Sequence, residues 1–104
     1  MNEQIEYCAD ILKALGQPTR LKIIESLRDG DHCACEIVAA IGEEQSSTCC
    51  HLNQMLASGL LSHSIDNLTL YYAIKHPQVL AIADLVTELM HREIGNPQSV
   101  TENA

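Results

Sequence analysis

No Lys or Arg occurs anywhere between Asp29 and Ile74. The chain has no Trp and no Phe, and three Tyr are its only aromatic residues. No apolar run approaches the length of a membrane span. Each absence excludes something. A formal charge of −8 on 104 residues disfavours non-specific attraction to phosphates or to anionic membranes. Without large aromatics the core must be aliphatic and small. At this length it suffices for one small domain, and a dimer interface would add useful burial. The acidic, polar start "MNEQIEYCAD" is no signal peptide, so the cytoplasm is the expected compartment. Five Cys is an odd number, and reduced thiols are the expected state. Nothing points to an enzyme: there is no nucleophile–base signature, no phosphate loop and no paired carboxylate setting.

What is present reads as helices with one hairpin. In "NEQIEYCADILKALG", Ile5, Cys8, Leu12 and Leu15 recur at helical spacing and Gly16 ends the run. "PTRLKIIESLRDG" predicts a second helix, with Pro18 in its first turn and Leu21, Ile24 and Leu27 as its stripe. "CEIVAAIG" is a short third helix ending at Gly42. "SSTCCHLNQMLAS" is a fourth, with Ser46 or Ser47 as N-cap and Gly59 after its end. "LLSHSIDNLTLYYAI" alternates around an Asp66-Asn67 turn, as a β-hairpin does. A last helix starts near Pro77, and Val79, Ile82, Val86, Leu89 and Met90 give it a broad apolar face suited to a partner helix. Helices followed by a helix-turn-helix and a hairpin make a winged helix. The expected fold is therefore mainly α with a small β-hairpin wing. Residues 1–94 form the domain and 95–104 are expected to be a disordered tail.

The chain also resembles a known family, the ArsR/SmtB metalloregulators. The resemblance rests on "LKALGQPTRLKIIESL" (Leu12–Leu27), "CACEIVAAIG" (Cys33–Gly42), "QSSTCCHLNQMLASGLL" (Gln45–Leu61) and "LYYAI" (Leu70–Ile74), and it spans roughly residues 5 to 90. It implies a homodimer built by the first and last helices, and Ile5, Leu12, Ile82, Val86 and Leu89 supply apolar stripes there that a domain this small has little core to cover, which makes them the expected interface. It also implies a fourth helix that enters the major groove of operator DNA, and release of that DNA by a metal or thiol-reactive effector. No obligatory cofactor and no membrane partner are expected.

Cys33 and Cys35 lie at the start of the third helix. Thiolates are soft ligands for thiophilic ions, and a helix N-terminus favours thiolate over thiol. In similar family members this Cys-x-Cys box binds As(III) or Sb(III), or soft divalent metals such as cadmium and lead. Otherwise these are two small half-buried residues with no ligand role. His32 beside them either assists or is an ordinary exposed loop His. Two thiolates leave a three-coordinate arsenic site incomplete, and the further Cys that some relatives carry near Val38 is missing here. Cys8, Cys49 and Cys50 are the candidates for a third thiolate, as is an external thiol. Against Cys8 stands its place on an apolar stripe, where Cys packs as a small hydrophobe. Cys49 and Cys50 point about 100° apart on one helix. Cys49 flanks the core face of Thr48, Leu52, Met55 and Leu56, and Cys50 shares the outer face. The family's second metal locus, on the last helix, is matched poorly. Asp84, Glu88 and His91 share a helix face, which reads as solvated before it reads as a metal site.

The candidate DNA-contacting residues are Gln45, Ser46, Ser47, Cys50, His51, Asn53 and Gln54. All can hydrogen-bond to bases or phosphates or lie on that face, but none carries a fixed positive charge. In many relatives an Arg stands at the position of Cys50 and the wing turn is basic. Arg20, Lys22 and Lys75 flank the uncharged window and can contribute if the fold brings them near. Three readings follow. The first is a dimeric repressor sensing a thiophilic metalloid or metal through Cys33 and Cys35. The second is a repressor whose cysteines sense oxidants or persulfide. The third is an acidic winged-helix module that binds a protein partner with little or no affinity for DNA.

Overall fold

The computed structural model describes residues 2–95. The elements follow in the order α1 (Asn2–Leu15), α2 (Pro18–Ser26), β1 (His32–Cys33), α3 (Ala34–Ile41), α4 (Gln45–Ala57), β2 (Leu61–Asp66), β3 (Thr69–Ile74) and α5 (Gln78–Glu93). The tail expected from residue 95 lies outside the described residues except for Gly95. No helix among the described residues is long and apolar enough to cross a membrane.

Local chemistry sets the helix ends. The Gln17 side chain caps α2 by accepting from the Arg20 N–H at 2.8 Å, and Pro18 occupies the first turn, where its missing N–H costs nothing. Gly42 closes α3 at φ 68°, in the left-handed region that favours glycine. The start of α4 differs from expectation. Its N-cap is Glu44, so Ser46 and Ser47 fall inside the first turn. The Glu44 carbonyl accepts from both the backbone N–H and the hydroxyl of Thr48, at 3.0 and 2.8 Å. That satisfies a threonine with no exposed surface. Ser46 Oγ turns back to donate to the Glu44 carboxylate.

The sheet is larger than the expected hairpin. Its order is β1-β3-β2, antiparallel throughout, and β1 adds His32 opposite Tyr72 and Cys33 opposite Tyr71. The hairpin turn lies one residue later than expected. Asp66 still pairs with Thr69, so the loop is Asn67-Leu68 and not Asp66-Asn67. Both loop residues have positive φ, 50° and 67°, the type I′ conformation that matches strand twist. Asn tolerates this, but Leu does not, and Leu68 is 99% exposed with no packing to compensate. Leu68→Gly should therefore stabilise the fold by about 0.5–1 kcal/mol, the relieved strain exceeding the added freedom of the unfolded chain. A lower denaturant midpoint for the variant would refute this account of the turn.

Ile23, Ile24, Ile37, Leu52 and Met55 form the innermost core, closed by Leu15, Leu27, Leu60, Leu61, Tyr72 and Val79. On α2 the buried positions are Thr19, Ile23 and Ile24, joined by Leu27 at its C-cap, while Leu21 rides at the edge. The core thus joins α2, α3, α4, the wing root and the start of α5. It leaves two apolar faces uncovered. Ile5 and Leu12 on α1 are 61% and 56% exposed, and Val86 and Leu89 on α5 are each 57% exposed. Ile82 is half-buried and packs against the core. Leu12, Leu15, Leu21, Val79, Ile82 and Val86 line an open apolar cleft between α1, α2 and α5.

Candidate functional site

The first feature is the thiol box at the junction of β1 and α3. Cys33 is both the last residue of β1 and the N-cap of α3, and Cys35 lies in the first turn. Glu36 closes a capping box, its carboxylate accepting from the Cys33 N–H at 3.0 Å. That bond, with a second from the Cys33 side chain, holds the Glu36 carboxyl below its usual range. His32 sits half-buried between two acids, 3.0 Å from Asp29 and 3.5 Å from Glu36. Its bond to Asp29 favours the protonated ring and raises its pKa. His32 is thus engaged by carboxylates and is not an ordinary exposed loop residue.

All five cysteines are free thiols. Cys33 and Cys49 are half-buried, while Cys8, Cys35 and Cys50 are exposed. Among the described residues, no group of three or more His, Cys, Asp or Glu side chains is arranged to hold a metal ion. The box therefore offers two thiols within one chain. Asp84, Glu88 and His91 are not gathered into a site. Asp84 accepts from Arg28 at 2.7 Å, and Glu88 lies 3.4 Å from Arg92.

The second feature is the outer face of α4. Thr48, Leu52 and Met55 bury one side of this helix, which turns Gln45, Ser46, Cys50, Asn53 and Gln54 to the surface. Ser47 is also exposed, and His51 is half-buried at the margin. Helix α3, the Gly42 turn and α4 form the helix-turn-helix, and the β2–β3 hairpin stands beside it as the wing. The wing tip carries Ile65, Asp66 and Leu68, exposed and without a cation.

The flanking cations divide. Lys22 pairs with Glu43 at 2.7 Å, and Thr19 donates to the same carboxylate at 2.6 Å, which ties α2 to the helix-turn-helix. Those contacts hold the Glu43 carboxyl below its usual range. Arg20 reaches α4 itself. Its Nε donates to His51 Nδ1 at 3.2 Å and an Nη donates to Gln54 Oε1. From the sequence Arg20 is only a flanking charge: the i, i+3 spacing of His51 and Gln54 puts both on one face of α4 but does not say what meets them. Lys75 is exposed.

These elements define a winged helix-turn-helix transcriptional regulator. Comparison with known proteins makes the assignment specific. Residues 17–63 match the family described as bacterial regulatory protein, arsR family. An uncharacterized HTH-type transcriptional regulator of Methanocaldococcus jannaschii is 34% identical over 88 residues, covering 84% of this chain and 99% of that one. A probable mercury resistance operon repressor of Streptomyces lividans is 33% identical over 78 residues, covering 75% of this chain and 60% of that one. The crystal structure of NolR from Sinorhizobium fredii superposes with a TM-score of 0.77 at 30% identity, covering 85% of this chain and 88% of that one. The chain belongs to the ArsR family of transcriptional regulators.

Proposed function

We propose that this protein is a homodimeric repressor whose α4 binds operator DNA and which a thiophilic metalloid or metal releases through Cys33 and Cys35. The observation that carries this reading is the place of Cys33, at once in the sheet and at the cap of α3. A soft ion or trivalent metalloid supplies strong bonds to thiolate sulfur. Cys33 and Cys35 would hold it, and they are free and sit in the first turn of the helix that supports α4. Drawing the two sulfurs together bends that turn against the Glu36 cap and the Cys33–Tyr71 pairing. A change there alters the seating of α3, and with it the presentation of α4. The likeness to a protein named for mercury resistance supports a thiophilic effector. Mercuric ion is satisfied by two thiolates. Trivalent arsenic takes a third, which the partner's α1 or a small external thiol would provide.

The test is a low-salt shift assay with the DNA upstream of the protein's own coding sequence. Arsenite or mercuric ion should release bound DNA without any oxidant. Release only by an oxidant selects the redox reading, and no binding to any duplex selects the protein-partner reading.

The scarcity of cations makes a further expectation. Each phosphate neutralised contributes about −0.9 to the slope of log affinity against log salt, so this slope should be shallow. Cys50 is exposed on the outer face of α4. Cys50→Arg should tighten binding to specific and unrelated duplexes alike and steepen the slope by about one unit. Unchanged affinity in this variant would mean that the face does not touch DNA.

A further inference from the structure

We infer that Arg20, although it lies on α2 outside the helix-turn-helix, is part of the DNA-reading face: it contributes an uncompensated charge and fixes His51 and Gln54 as hydrogen-bond donors. The inference rests on the DNA-binding reading above and specifies how that face works.

The charge argument comes from Arg20's partners. Lys22, Arg28 and Arg92 each face a carboxylate within 4 Å. Arg20 has no carboxylate partner among the described residues. Its guanidinium is held by three neutral acceptors: the His51 ring, the Gln54 amide and, at 3.5 Å, the Ala14 carbonyl. Neutral acceptors orient a cation without cancelling it. A guanidinium carries five N–H groups, so donors remain for a further acceptor. The side chain that carries this charge is half-buried. A DNA phosphate beside the major groove is the partner of matching sign and geometry.

The orientation argument concerns the two residues it holds. His51 Nδ1 accepts from Arg20, so the ring hydrogen sits on Nε2, which becomes a donor. Gln54 Oε1 also accepts from Arg20, leaving its NH2 group, whose one contact among the described residues is Cys50 Sγ at 3.7 Å. Left alone, a glutamine side chain pairs with adenine by accepting from N6 and donating to N7. Here Arg20 occupies one of the two lone pairs of that oxygen and fixes the orientation of the amide, which disfavours the adenine pairing. Arg20 and His51 therefore present donors and Gln54 presents its NH2 group, suited to phosphate oxygens and to the O6 and N7 of guanine or the O4 of thymine.

The experiment compares wild type, Arg20→Gln and Arg20→Lys on the upstream duplex and on a randomised duplex pool, with folding checked by circular dichroism. Arg20→Gln should bind about tenfold or more weakly. Its salt slope should be shallower by about 0.9. The pool it selects should admit adenine where wild type selects guanine or thymine. Arg20→Lys should recover the salt slope but not the selectivity, because a compact ammonium cannot hold both acceptors in a fixed fork. An unchanged slope in Arg20→Gln overturns the charge role. Unchanged base selection in both variants overturns the positioning role, and Arg20→Lys decides alone if Arg20→Gln does not fold. Wild type that binds no duplex overturns this inference and the repressor reading together. Wild type that binds, with variants that match it, overturns this inference alone.

Discussion

Cys33→Ser and Cys35→Ser are each expected to raise the concentration of arsenite or mercuric ion needed to release DNA by about a hundredfold or more, while DNA affinity without effector stays within a factor of about two. Two donors within one chain leave no spare ligand, so losing either removes the chelate. Serine is a suitable control because it keeps the size of the side chain and removes only the soft donor. At position 33 it is also a preferred helix N-cap. Cys33 already anchors a capping box with Glu36, so the serine variant should keep or strengthen the start of α3. A lost response cannot then be ascribed to a frayed helix. Shift assays over an effector titration, with thermal melts of each variant, measure both quantities. If both single variants respond like wild type, the Cys-x-Cys assignment is wrong.

The second large effect concerns assembly. Leu12→Glu combined with Leu89→Glu should convert a dimer into a monomer at micromolar concentration. Both side chains are more than half exposed on faces that the core leaves uncovered, so two carboxylates fit the isolated chain and are rejected only at an apolar interface. A monomer engages one half-site, and loss of the linked second contact should weaken operator binding by about 10²–10⁴-fold. Sedimentation reads the assembly, and shift assays read the affinity. A wild-type protein that sediments as a monomer, with or without effector, would overturn the dimer. A double variant that still sediments as a dimer would place the interface elsewhere.

The helices were legible because their signals are repeated. Ile5, Cys8, Leu12 and Leu15 mark α1 several times over, and Gly42 and Gly59 mark where α3 and α4 stop. The assignment of Cys49 to the core margin and Cys50 to the surface followed from helical geometry alone, and their burial agrees. What escaped lies in single residues and long-range contacts. Two residues show no alternation, so β1 had no periodic signature and is defined only by its pairing with β3. Local preference puts the hairpin turn one residue early, because Asp and Asn favour turns and Leu is a poor residue for positive φ; strand register overrides that preference. Local preference puts a serine at the α4 cap, whereas Thr48 donates both its bonds to the carbonyl of Glu44 and so starts the helix there. Arg20 meets its partners 31 and 34 positions along the chain, a separation that no local pattern encodes.

The double membership of Cys33 gives the molecule an internal reporter. Its backbone belongs to the ladder with Tyr71 and to the opening turn of α3. Strand β1 is only two residues long, so only the His32–Tyr72 pair stands beside that joint to absorb a change. The β2–β3 ladder is longer, with six paired positions, and does not depend on it. An event at the thiols should therefore appear first as faster hydrogen–deuterium exchange of the amides shared between β1 and β3, while the outer hairpin keeps its protection. Occupancy of the thiol box can then be followed in the protein alone, with no DNA present.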